Sequence, residues 1–163
     1  MDTQNFQKYI SSLKLIHIAL LLGQLCFAAI AFYLNTNGGI SDSNSSKIVQ
    51  FSLILFFSLQ GIVAGHLLFK NRLKKIRGEQ SLTTKLTAYR TLVIIRFALA
   101  EAPSVFSIMA YLLTQEKIFL GLFGLIVAYF FYLKPSKEKF FTDLELSGSD
   151  KLKLENPNIN IFE

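Results

Sequence analysis

The stretch Thr91-Leu-Val-Ile-Ile-Arg96-Phe-Ala-Leu-Ala-Glu101-Ala-Pro103-Ser-Val-Phe-Ser-Ile-Met-Ala-Tyr-Leu-Leu-Thr114 decides how this chain is built. Its apolar run, Leu92–Leu113, is 22 residues long. As a helix rising roughly 1.5 Å per residue it reaches about 33 Å, enough to cross a hydrocarbon core of about 30 Å. Arg96 and Glu101 interrupt that run. A charge near a bilayer centre costs several kcal/mol, so it persists where it is paired, neutralised or used. Pro103 has no N–H to give the Leu99 carbonyl and should kink the helix beside the glutamate.

Three further apolar blocks flank this one: Leu13–Leu34, Ile48–Phe69 and Ile118–Leu133. The first two are also 22 residues long, and the last is 16. Lys117 and Lys134 bracket the short block, and their stems can snorkel to the headgroups to complete a span. No block alternates as a barrel strand does. The chain is 52% hydrophobic, with mean hydropathy +0.41. The reading is an all-α integral membrane protein, a bundle of four transmembrane helices over about 13–34, 48–69, 86–114 and 118–133. Residues 1–134 form one membrane domain. Residues 135–163 form a tail, amphipathic in Pro135–Leu146 and disordered in Asn156–Glu163.

Charge gives an orientation. The segment from Lys70 to Arg90 holds seven basic residues (Lys70, Arg72, Lys74, Lys75, Arg77, Lys85 and Arg90) against Glu79 alone, which accounts for the whole formal net charge of +6. The other connections, 35–47 and 115–117, are nearly neutral. The positive-inside rule then places this loop and both termini in the cytoplasm of a bacterial inner membrane. The same loop offers Lys70, Arg72, Lys74, Lys75 and Arg77 to anionic lipid headgroups, at about 1 kcal/mol per basic residue. The bilayer is the first partner expected, a homo-oligomer or a membrane-protein partner the second, and a nucleic acid is not expected. The first block is read as an uncleaved helix, because its apolar run continues past the small-x-small site Ala29-Ile-Ala31.

Several chemistries lack their residues. The single cysteine, Cys26, allows no disulfide framework and no CxxC pair. His17 and His66 stand on different helices with no carboxylate at metal-ligand spacing, so no metal and no cofactor are expected. No phosphate-binding glycine loop or nucleophile elbow is present, and no enzyme is expected.

Depth sorts the intramembrane polar residues into two layers. Gln24, Gln60 and Glu101 fall near the midplane, with His17, His66 and Arg96 a turn or two toward the cytoplasm. This predicts a polar core shared by helices one to three. Gly61-x-x-x-Gly65 and Ala98-x-x-x-Ala102 are small-residue pairs that let helices two and three approach, which would bring Gln60 toward Glu101. Glu101 is then either a structural hub, bonded to Gln24, Gln60 or the freed Leu99 carbonyl, or a proton- or cation-binding carboxylate. Arg96 lies about 140° round the helix from Glu101 and is not its partner. The two histidines read as structural or interfacial groups.

Two likenesses follow from these residues. Residues 98–113, around Glu101-Ala-Pro103, resemble the carboxylate helix of the rotary-ATPase proteolipid, subunit c. That local likeness implies an ion carrier at Glu101 in an oligomeric ring, although the other helices lack the proteolipids' dense glycine pattern. Over most of its length the chain resembles a family of small uncharacterised bacterial inner-membrane proteins with four helices. The pieces are Lys14-Leu-Ile-His17 with Gly23-Gln24, Tyr89-Arg90 with Arg96, Glu101-Ala-Pro103, and Lys134-Pro-Ser-x-x-Lys139 running into Asp143-Leu-x-Leu146. This likeness implies the fold and no activity, leaving a non-enzymatic structural, regulatory or accessory subunit as the expected role.

Overall fold

The computed structural model describes residues 6–38 and 47–156. All of its regular structure is helical: α1 (Phe6–Thr36), α2 (Lys47–Arg77), α3 (Leu82–Thr114), α4 (Lys117–Tyr132), α5 (Lys137–Leu144) and α6 (Gly148–Glu155). By length and composition α1 and α3 can each cross a membrane, and α4 with α5 adds a third span if that bent pair counts as one. Most of the connection expected over 35–47, and all but Asn156 of the tail end expected to be disordered, lie outside the described residues. So do many side chains in the first half of α2.

The helix α3 is the hub. It packs against α1, α2 and α4, whereas among the described residues α1 and α2 share at most isolated contacts with each other. The α2–α3 contact depends on the absence of side chain. A Cβ on Gly61 would lie 3.1 Å from the Leu99 carbonyl oxygen and 3.2 Å from Pro103 Cγ, and one on Gly65 would touch Leu99 Cβ at 3.5 Å. The carbonyl that Pro103 leaves without its helical donor therefore faces the smallest residue on α2. At the far end, Gln115 adopts the left-handed conformation (φ 60°) and its N–H bonds the Tyr111 carbonyl at 2.8 Å, closing α3. The Ser107 hydroxyl then donates to the Phe119 carbonyl at 2.7 Å, tying α3 to α4 as an antiparallel hairpin.

The basic segment is mostly helix rather than loop. The helix α2 runs on to Arg77, and after Gly78–Ser81 the chain re-enters helix at Leu82, with the Ser81 hydroxyl capping the Thr84 N–H. Leu73 and Ile76 explain the extension: they stand three residues apart on one face and are both buried. Lys74, Lys75 and Arg77 also fall in the last turn, where cations favour the helix dipole.

The tail does not simply lie alongside the bundle. After a 75° bend, α5 tucks under the basic end. Ser136 caps its first turn, and Phe140 and Leu144, four residues apart, are fully enclosed. Phe140 sits in a ring of aromatics, 5.0 Å from Phe6, 5.9 Å from Tyr9 and 4.9 Å from Tyr89 between centroids. The Tyr9 hydroxyl donates to the Leu86 carbonyl at 2.7 Å, and Arg90 donates to the Ser12 hydroxyl at 3.1 Å, fastening α1 to α3 at the same end.

Candidate functional site

The six polar residues expected to share a core divide into three groups. His17 and Gln24, seven residues apart on one face of α1, are buried. His17 Nε2 lies 2.9 Å from the Phe130 carbonyl oxygen, and its ring stacks on Phe130 at 4.7 Å with Phe97 edge-on at 5.1 Å. A carbonyl only accepts, so Nε2 carries the proton. Phe130 is in the last turn of α4, where its carbonyl also accepts from the Leu133 N–H at 3.0 Å, so His17 both joins α1 to α4 and adds a second donor at the end of α4. His17→Phe keeps the ring packing and removes the donor, and should lower stability by about 1 kcal/mol in detergent thermal unfolding. Both amide atoms of Gln24 are buried without a hydrogen-bond partner among the described residues.

Gln60 and Glu101 form the second group, and the structure does not bring them together. Gln60 is exposed and Glu101 half-buried, and neither side chain has a hydrogen-bond partner among the described residues. The expected bonds from Glu101 to Gln24, Gln60 or the Leu99 carbonyl are not formed. Helix azimuth explains this. With Leu99 and Pro103 facing α2, Glu101 is about 200° away and points to the opposite side of α3. Gln60, one residue before Gly61, is rotated about 100° out of the same interface. Of the two small-residue pairs, Gly61 and Gly65 lie at the α2–α3 contact, whereas Ala98 and Ala102 are exposed.

Arg96 and His66 form the third group, in a cleft of about 380 Å³ where α2, α3 and α5 meet. On α2, His66, Phe69, Lys70 and Leu73 share a face; on α3, Tyr89, Val93, Arg96 and Phe97 share another. The cleft is closed from below by Lys139 and Asp143, which are four residues apart on α5. The Arg96 guanidinium lies over the Phe69 ring, 4.3 Å from its centroid, and its Nε is buried without a partner among the described residues. The Asp143 carboxylate accepts from the Tyr89 hydroxyl at 2.8 Å, and its backbone carbonyl accepts from Arg77 Nε at 2.7 Å. Arg77 also pairs with Glu145 at 2.5 Å. Lys139 Nζ donates to the carbonyls of Tyr132 (2.6 Å) and Lys134 (3.2 Å), serving the end of α4 as His17 does from the other side.

The basic residues thus do different work. Arg77 holds the tail, Lys70 lines the cleft, and Arg72 and Lys75 lie along a shallow groove of α2 alone. Lys74 is exposed outside the cleft. Lys139, Asp143 and Tyr89 were missed as site residues by sequence reasoning. Their signal was the Phe140/Leu144 pair, which fixes the face of α5 that packs inward. Among the described residues no three His, Cys, Asp or Glu side chains cluster as a metal site. No family model matches the chain, and no curated protein or solved structure matches it either.

Proposed function

We propose that the chain is a four-helix integral protein of a bacterial inner membrane, with both termini cytoplasmic, and that it serves as a non-enzymatic accessory subunit of a larger membrane assembly. One observation carries this reading: an apolar outer surface broken at mid-span by polar groups without partners among the described residues. Leu15 (69% exposed), Leu125 (72%) and Phe131 (56%) typify that surface, which suits contact with lipid tails. Gln60 and Glu101 break it. Lipid offers no hydrogen bonds, so polar side chains at this depth call for protein on the other side.

The native mass of the complex extracted in mild detergent tests the reading. A particle heavier than the 18.4 kDa chain with its bound detergent is expected, and a monomer under all extraction conditions defeats it. A second reading has its own support. Glu101 stands two residues before the helix-interior Pro103, with no side-chain partner among the described residues, as an oligomeric proton or cation translocator requires. In that case reconstituted wild type carries a flux that Glu101→Gln abolishes. No flux in either, with Glu101→Gln shifting the native mass, favours the accessory role.

A further inference from the structure

We propose that the cleft between α2, α3 and α5 binds a phosphate anion carried on the headgroup of an anionic phospholipid. This rests on the chain being embedded in a membrane, and goes beyond it by naming the ligand and the site.

Charge is the first argument. Three cations, Lys70, Arg96 and Lys139, line the cleft against one carboxylate, Asp143. Asp143 already accepts from the Tyr89 hydroxyl. None of the three cations makes an ion pair among the described residues. The cleft therefore carries excess positive charge that its own acid does not neutralise.

Unused donors are the second. Arg96 Nε–H is buried with nothing to accept it among the described residues. The Phe69 ring beneath holds the guanidinium in place, and a planar fork of donors matches phosphate oxygens. Lys70 has no partner among the described residues, and Lys139 uses two of its three N–H groups on backbone carbonyls. Lys70, Arg96 and Lys139 stand on three separate helices and line one space, which suits an acceptor with several oxygens.

Depth chooses the carrier. Phe69, Val93, Phe97 and Leu133 form the apolar back of the cleft and are each more than nine-tenths buried, so the cations are what the cleft offers a ligand. The volume, about 380 Å³, falls within the roughly 300–1,000 Å³ of small-molecule sites. The cleft also sits where three apolar runs end, at Phe69, Leu92 and Leu133, which is headgroup depth if the runs span the bilayer. A choline headgroup would bring its own cation among these three, so the site should discriminate against it.

Native mass spectrometry of the delipidated full-length protein, with equal additions of phosphatidylglycerol or phosphatidylcholine, tests the assignment. Phosphatidylglycerol should bind about tenfold more tightly. Lys70→Gln and Arg96→Gln should each weaken it about fivefold, while Lys74→Gln, in the same basic segment but outside the cleft, leaves it unchanged. Lys70 is exposed at the rim, so its variant keeps the test valid if Arg96→Gln misfolds. Equal affinity for the two lipids overturns the proposal, as does an equal loss in Lys74→Gln and Lys70→Gln. Displacement of the lipid by millimolar inorganic phosphate overturns the headgroup assignment in favour of a free anion. Alkaline carbonate washing of membranes separates the premise from the site: release of the protein defeats the membrane reading itself, whereas retention without lipid preference defeats only the site.

Discussion

Phe140→Ala should cost about 3–5 kcal/mol and release the tail from the bundle. Phe140 is fully buried among rings contributed by α1, α3 and its own helix, with Phe6, Tyr9 and Tyr89 all within 6 Å of its centroid. Truncation leaves a cavity bounded by stiff aromatic side chains on three helices, which cannot collapse to fill it. Two measurements check this. Thermal unfolding in detergent should shift downward, and limited trypsin digestion should open sites between Lys134 and Lys153 that are protected in the wild type. Wild-type protection of the tail in Phe140→Ala would show that the ring does not hold α5. Phe140→Leu, which keeps most of the volume, should retain much of the stability.

Gly61→Leu should be about as damaging, at roughly 3 kcal/mol, because it overpacks a contact that cannot yield. The Cβ alone would meet the Leu99 carbonyl oxygen and the Pro103 ring, both part of the α3 backbone framework rather than ends of flexible side chains. The two helices must part, because neither the carbonyl nor the proline ring can swing aside. Gly23→Leu is the internal control: a Cβ there meets nothing within 4 Å, so the same chemical change should leave the stability of the chain unaltered. Equal losses at both positions would trace the effect to helix propensity or to association rather than to the α2–α3 contact.

These two sites also mark how far the sequence could be read. Helix existence was legible because long apolar runs leave few alternatives. The α3–α4 hairpin was legible because Gln115-Glu-Lys117 is too short for anything else. The close approach at Gly61 and Gly65 was legible from spacing. The polar layers were a reading of depth along each helix, and the angles around the helices do not bring them together in one core. Depth follows from counting residues, whereas azimuth depends on which face packs. A glycine pair fixes that face on α2, and the same geometry turns Gln60 and Glu101 away from each other. The basic segment was misread as loop because its charge hides Leu73 and Ile76, two buried residues that keep it helical. The cleft was the hardest part to foresee, since Tyr89, Arg96, Lys139 and Asp143 meet only after α5 docks, and nothing local in the sequence states where α5 goes.

The aromatic ring around Phe140 has a temporal side. Phe6 is near the start of the chain and Phe140 near its end, yet their rings are 5.0 Å apart. At about 5–20 residues per second of synthesis, Phe6 and Tyr9 wait roughly 7–27 s for the residue that covers them. Throughout that interval the basic end has an open apolar seam and an unbuilt cleft. The helix that closes both is α5, which emerges after all four long helices, so a chain cut short before Lys137 can be fully inserted and still be unfinished.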